Sequence, residues 1–250
     1  MKSAKEVVAH LHTLADQPTA THLQRFFKTE PGGYGAGDQF LGIRVPELRT
    51  VARALDALPG AEVPALLHSP WHEARLAALL AMVRRFQRGN RAAQEELHAL
   101  YLENLAAVNN WDLVDSSAEQ LAGAPVLAGW VGEELIFRFQ QAEAVWPRRI
   151  AVVAMFHFIK QRKFELPVRV LEAALEDPHP LMHKAAGWMW REIGKRERAV
   201  LETALARHGA HMPRTTLRYA VERFTPEERA GWMQQTKARG SSPAGAYPPA

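Results

Sequence analysis

Apolar residues recur three and four positions apart through nearly every segment between turn signals, and no Val/Ile/Thr-rich run of period two interrupts them. A chain patterned this way can bury its apolar faces only by packing helix on helix, so the fold class is all-α. A second regularity narrows the architecture. Arg75, Asp115, Arg149 and Lys184 each lead into an apolar run, at steps of 40, 34 and 35 residues. That is the interval of a helical-pair repeat, and it predicts a right-handed superhelix, an α-solenoid of tandem HEAT-like repeats with equivalent positions lining one polar face. Trp111 and Trp188 each stand one helical turn from a member of this series, as expected of a nucleic-acid groove that holds one special acid.

Composition bounds the chemistry. With 250 residues and 47% hydrophobic content the chain can build a substantial core. Cysteine is absent, which removes disulfides, thiolate metal sites, iron–sulfur clusters and cysteine nucleophiles together. The net charge of +4 is small, so any basic surface must come from how Arg and Lys are distributed. Eleven histidines form no HExxH or other zinc spacing, and Ser116-Ser117 lacks a Gly-x-Ser-x-Gly elbow. Met1 to Asp16 read as an opening helix, because charged residues break the apolar core a secretory signal needs. The longest apolar stretch, Ile150 to Ile159, contains His157 and is half the roughly 20 residues a membrane span requires. The expectation is a cytoplasmic protein (bacterial cytoplasm and nucleoid) with no membrane partner.

Helices are predicted near 3–15, 19–29, 46–57, 61–68, 71–88, 90–107, 111–122, 126–140, 147–161, 165–176, 180–195, 197–207, 213–223 and 226–236. Pro46, Pro147, Pro213 and Pro226 stand at first turns, where a missing N–H is tolerated. Glu30 to Val45, with its five glycines, reads as an ordered loop, but it follows a helix and lacks a Walker Lys-Ser/Thr pair, so it is no nucleotide site. The expected organisation is a single repeat domain over 1–237 and a disordered tail over 238–250.

Around the helix at 180–195, Met182, Ala185, Ala186, Met189 and Ile193 make an apolar stripe, while Lys184, Trp188, Arg191 and Lys195 fall on a separate face. Trp188 within a basic row is either a groove residue or a cover for its neighbours' stems. Trp190 belongs with the core. Trp111 and Asp115, four apart, share a side of the next candidate helix, where Asp115 is either a salt-bridge partner or a catalytic group. Asp112 reads as a first-turn acid favoured by the helix dipole. Arg148 and Arg149 oppose the dipole of the helix they open unless an anion offsets them, and a phosphate or a carboxylate would serve. Arg214 and Arg218 form a possible phosphate pair on the helix opened by Pro213.

At these residues the chain resembles the AlkD-like DNA alkylation repair glycosylases, which are built from HEAT-like repeats. The likeness rests on Tyr34 to Pro46, Asn110-Trp111-Asp112-Leu113-Val114-Asp115-Ser116, Arg148-Arg149-Ile150-Ala151, and Lys184-Ala185-Ala186-Gly187-Trp188-Met189-Trp190-Arg191-Glu192. It implies a glycosylase that releases N3- or N7-alkylated purines from duplex DNA without deep base flipping; the expectation is a monofunctional enzyme that needs no cofactor and acts as a monomer. It further implies that Trp111 and Trp188 contact the lesion's deoxyribose, that Asp115 is the catalytic carboxylate, and that Arg149 binds phosphate. Arg148, Lys184, Arg191, Arg75, Arg214 and Arg218 complete the expected DNA-binding set. Other relatives bind unusual DNA without excising bases, so a non-catalytic module for damaged or branched DNA is the alternative.

Overall fold

The computed structural model describes residues 1–235, and the expected tail over 238–250 lies outside them. The described residues are all helical apart from loops and one isolated bridge between Gln39 and Trp71. They cluster into two compact units, Met1–Leu121 and a second that begins at Ala122.

The first unit holds α1 (Ala4–Thr13), α2 (Gln17–Phe26), α3 (Val45–Ala54), α4 (Val63–Leu67), α5 (His72–Arg88), α6 (Arg91–Glu103) and α7 (Trp111–Ala118). Polar caps set several of the starts. Ser3 accepts the Glu6 N–H, Asp16 accepts the Thr19 N–H at 2.9 Å, and Asn90 accepts the Ala93 N–H at 3.1 Å, each satisfying a first-turn donor that the helix leaves orphaned. α5 is the hub. It packs against α3, α4, α6 and α7, and Ala74 and Leu76 to Met82 are all buried, so the middle of the helix is apolar on every side.

The second unit holds α8 (Ala124–Leu127), α9 (Glu134–Gln140), α10 (Val145–Lys160), α11 (Glu165–Ala173), α12 (Pro180–Gly194), α13 (Arg198–His208), α14 (Arg214–Ala220) and α15 (Pro226–Gln235). Here α10 packs on α12 and α12 on α14, with the remaining helices filed against this row. The row is tight at Gly187, where an added Cβ would stand 2.6 Å from the Tyr219 Cβ and 2.7 Å from the Thr216 carbonyl. The anticipated stripe Met182, Ala185, Ala186, Met189 and Ile193 is buried throughout, as is Trp190.

Two helices depart most from the sequence reading. The helix expected over 126–140 is broken, because Gly129 adopts φ +72° after α8 and the chain does not resume helix until Glu134. The helix expected over 111–122 is α-helical only to Ala118 and then takes π turns over Glu119–Gly123.

The glycine-rich loop is ordered, and α5 orders it. The Glu73 carboxylate, 1% exposed, accepts the backbone N–H groups of Leu41 at 3.0 Å, Gly42 at 2.8 Å and Ile43 at 3.3 Å. Gly42 has φ +87° and a Cβ there would fall 2.1 Å from the Asp16 carbonyl, so only glycine fits between the loop and α2. Replacing Glu73 with Ala leaves buried amides without an acceptor. The expected cost is about 2–4 kcal/mol in urea unfolding, against less than about 1 kcal/mol for Arg84→Ala, which removes a part-exposed ion pair with Asp56. Equal losses for the two variants would contradict the stapling role.

Candidate functional site

Helix α5 opens on three ionisable residues, and all three turn inward. His72 is 1% exposed and lies between two carboxylates: its Nδ1 is 3.0 Å from Asp38 Oδ2 and its Nε2 is 2.8 Å from Asp112 Oδ2. The His72 N–H also donates to the Gln39 carbonyl at 2.8 Å. Glu73 holds the loop as described, and Arg75 donates to Asp38 and, at 3.1 Å, to the Ser69 carbonyl. The loop acid Asp38 is therefore shared by His72, Arg75 and the Asn110 amide, whose Nδ2 donates to it at 3.0 Å.

Burial opposes a charged imidazole at His72, yet Asp112 and Asp38 outweigh it and raise the group to about 9. Burial likewise pushes Asp38 up, but its bonds to His72 and Asn110 and the charge of Arg75 hold it below the ordinary carboxylate value. At neutral pH the cluster is thus a carboxylate–imidazolium–carboxylate chain. Breaking such a chain is far costlier than never having built it, because the charge left behind is buried.

This chain lies directly under Trp111. Asn110, fully buried, caps α7 by accepting the Trp111 N–H at 2.9 Å, and Asp112 on the other side receives His72. The half-buried indole stacks on Phe27 at 5.1 Å and 7°, and meets the edge of Phe26, 56% exposed, at 5.9 Å. Asp115, half-buried, stands one turn further along the same side of α7. The first unit therefore presents an aromatic face whose chain neighbours, Asn110 and Asp112, are anchored in a charged network, with a carboxylate one turn along. An indole face next to a carboxylate suits a cationic, partly apolar ligand.

In the second unit, Arg149 is 5% exposed and donates to the Leu181 carbonyl at 2.6 Å. Arg148 is offset by Asp177 at 2.7 Å and also donates to the Ala142 and Glu143 carbonyls, so a carboxylate meets the charge that opposed the α10 dipole. Trp188 is half-buried, 5.6 Å from the Phe156 ring, with Lys184 exposed on the preceding turn. Arg191 pairs with Glu222. Arg214 and Arg218 are exposed on α14, Arg214 3.4 Å from the Met233 carbonyl and Arg218 over the Tyr219 ring.

The structure corrects one sequence reading and adds to another. Arg75 does not face a nucleic-acid groove: at 6% exposure its guanidinium is committed to Asp38 and Ser69 inside the fold, and a phosphate could reach it only by breaking a buried ion pair. Asp112 is more than a first-turn acid for the dipole, because it is one arm of the His72 clamp. The sequence reading missed His72, Asp38, Glu73 and the Phe26-Phe27 pair altogether. A signal was present: His72, Glu73 and Arg75 stand directly before the apolar run Leu76 to Met82, and ionisable residues that open so apolar a stretch must find buried partners.

The family profile of the DNA alkylation repair enzymes matches residues 7–224. No curated protein sequence matches the chain. A solved structure described as a predicted DNA alkylation repair enzyme from Enterococcus faecalis superposes with a TM-score of 0.66. It is 18% identical and covers 85% of this chain and 97% of its own, a likeness of fold.

The His72 clamp makes stability depend on pH in a stated direction. A group raised from 6.5 to about 9 on folding contributes stability that is complete below pH 6.5 and is lost as pH rises through about 9. The upper limit is about 3 kcal/mol. Urea unfolding of the wild type should therefore weaken between pH 6.5 and 9.5, and His72→Gln should flatten that slope. Equal wild-type stability at the two ends would rule out a charged imidazole.

Proposed function

Because the chain belongs to the DNA alkylation repair enzyme family, we propose that it is a DNA glycosylase that hydrolyses the N-glycosidic bond of N3- or N7-alkylated purines in duplex DNA. The observation that carries this reading is the pairing on α7 of a rigidly seated indole, Trp111, with Asp115 one turn along. An alkylated purine is cationic, and when its bond to C1′ breaks, the electron pair leaves with the base, which departs neutral. The sugar is left oxocarbenium-like until a water oxygen bonds to C1′ and gives up a proton. Asp115 stabilises the positive charge at C1′ and receives or orients that proton. The Trp111 face favours the cationic nucleotide over a neutral one by about 0.5–2 kcal/mol.

Trp188 keeps the deoxyribose-contacting role that the resemblance implies. Arg149 keeps the phosphate-binding role that the resemblance implies, at the first turns of α10 where it also donates to the Leu181 carbonyl. The exposed cations Lys184, Arg214 and Arg218 supply the long-range attraction to the duplex, which positions the chain without reading sequence. Arg148 and Arg191, already paired with Asp177 and Glu222, contribute less.

The deciding assay is release of 7-methylguanine or 3-methyladenine from methylated duplex DNA. The wild type is expected to release base, and Asp115→Asn to bind the same DNA while releasing roughly a hundredfold less. A wild type that binds damaged or branched DNA and releases nothing would identify a non-catalytic binding module instead. Affinity for undamaged duplex should fall steeply between low and physiological salt, and Lys184→Ala should reduce the slope of log affinity against log salt by about 1. A salt-insensitive interaction would exclude phosphate contacts.

A further inference from the structure

We propose that His72 is the positioning residue for Trp111: through Asp112 on one side and through Asp38 and Asn110 on the other, its imidazole sets where the indole stands. Both chain neighbours of Trp111 are tied to this one ring. Asp112 receives Nε2 at 2.8 Å, and the oxygen of Asp38 that faces Nδ1 at 3.0 Å also accepts the Asn110 amide at 3.0 Å. Asn110 in turn accepts the Trp111 N–H at 2.9 Å. A third route runs through the rings. His72 stacks on Phe40 at 4.5 Å and lies 5.0 Å from Phe27, the ring on which Trp111 is stacked.

A helix cap alone would need only Asn110. What the second carboxylate adds is a demand on protonation, since a neutral imidazole has one N–H and can donate to only one of two acids placed on its two nitrogens. The other nitrogen would then set a lone pair against a carboxylate, and either the loop bearing Asp38 or the first turn of α7 must move. The groups on the ring are Asp38 from the loop, Asp112 from α7 and the Phe27 and Phe40 rings, while of the other charges on α5 Arg75 pairs with Asp38 and Glu73 bonds the loop amides. Only the imidazolium satisfies both acids at once. A glutamine, with a single amide nitrogen aimed one way, does not span them.

The effect on base release rests on the glycosylase reading; the placement of the indole does not. The test uses protein labelled with 5-fluorotryptophan, in which the Trp111 resonance among the seven tryptophans is assigned by Trp111→Phe. His72→Gln is expected to move or broaden the Trp111 resonance and to slow single-turnover release of 7-methylguanine roughly tenfold to a hundredfold. Affinity for undamaged duplex should change by less than about threefold, because that binding comes from phosphate contacts. Val7→Ala, a cavity in α1, serves as the control for lost stability and should leave the Trp111 resonance in place. Should His72→Gln fail to fold, the wild type is titrated instead, and the Trp111 resonance must shift with the same midpoint as the His72 ring proton. A Trp111 resonance that ignores the His72 titration, or one that Val7→Ala moves as far as His72→Gln does, overturns the proposal. If wild-type protein releases no base at all, the glycosylase reading falls, while the fluorine comparison still decides the positioning role.

Discussion

One buried imidazolium between two carboxylates holds the first unit together where it matters most. Asp38 comes from the glycine-rich loop, His72 from α5 and Asp112 from α7, so three segments far apart in sequence meet at a single ring. Each charge would cost several kcal/mol to bury alone, and each is tolerable only because the others are there. Arg75 and Asn110 complete the pairing of Asp38. The loop lies in one place, α7 starts in one place, and Trp111 between its two anchored neighbours follows.

The same logic explains why the loop needs its glycines and its acid. Glu73 gathers successive backbone amides of residues 41–43, which bends the chain back over α2, and Gly42 is then pressed against the Asp16 carbonyl with no room for a side chain. A sequence that looks flexible is therefore rigid, because donors that a loop would ordinarily offer to water are taken up by a buried carboxylate. The outward result is an aromatic face, Trp111 stacked on Phe27, whose chain neighbours are held by ionic groups, an arrangement suited to a ligand that is both cationic and partly apolar.

The four recurring charges show what a repeat does and does not transmit. Arg75, Asp115, Arg149 and Lys184 each fall on the fourth or fifth residue of a helix, in α5, α7, α10 and α12, so the period read from the sequence reflects a real equivalence of position. Their surroundings differ. Arg75 and Arg149 are buried, Asp115 is half-buried and Lys184 is exposed. Equivalent backbone positions meet different neighbours in each repeat, and charge chemistry follows the neighbours.

Helical class, most helix positions, the buried stripe of α12, the core placement of Trp190 and the ordered loop could all be read from the chain, because each depends on local periodicity or on residues a few positions apart. The pairing of Trp111 with Asp115 on one side of α7 was legible for the same reason. The clamp beneath them was not: its partners are separated by 34 and 40 residues, and nothing in the local pattern says that Asp38 in the middle of a glycine-rich loop will face the first turn of α5. Sequence by itself determined which segments are helical and which faces are apolar, since those follow from spacing along one helix. Only the tertiary structure decided which charges are buried, and so whether a cation such as Arg75 supports the fold or faces a ligand, because the energy of a charge depends on the dielectric and the partners around it.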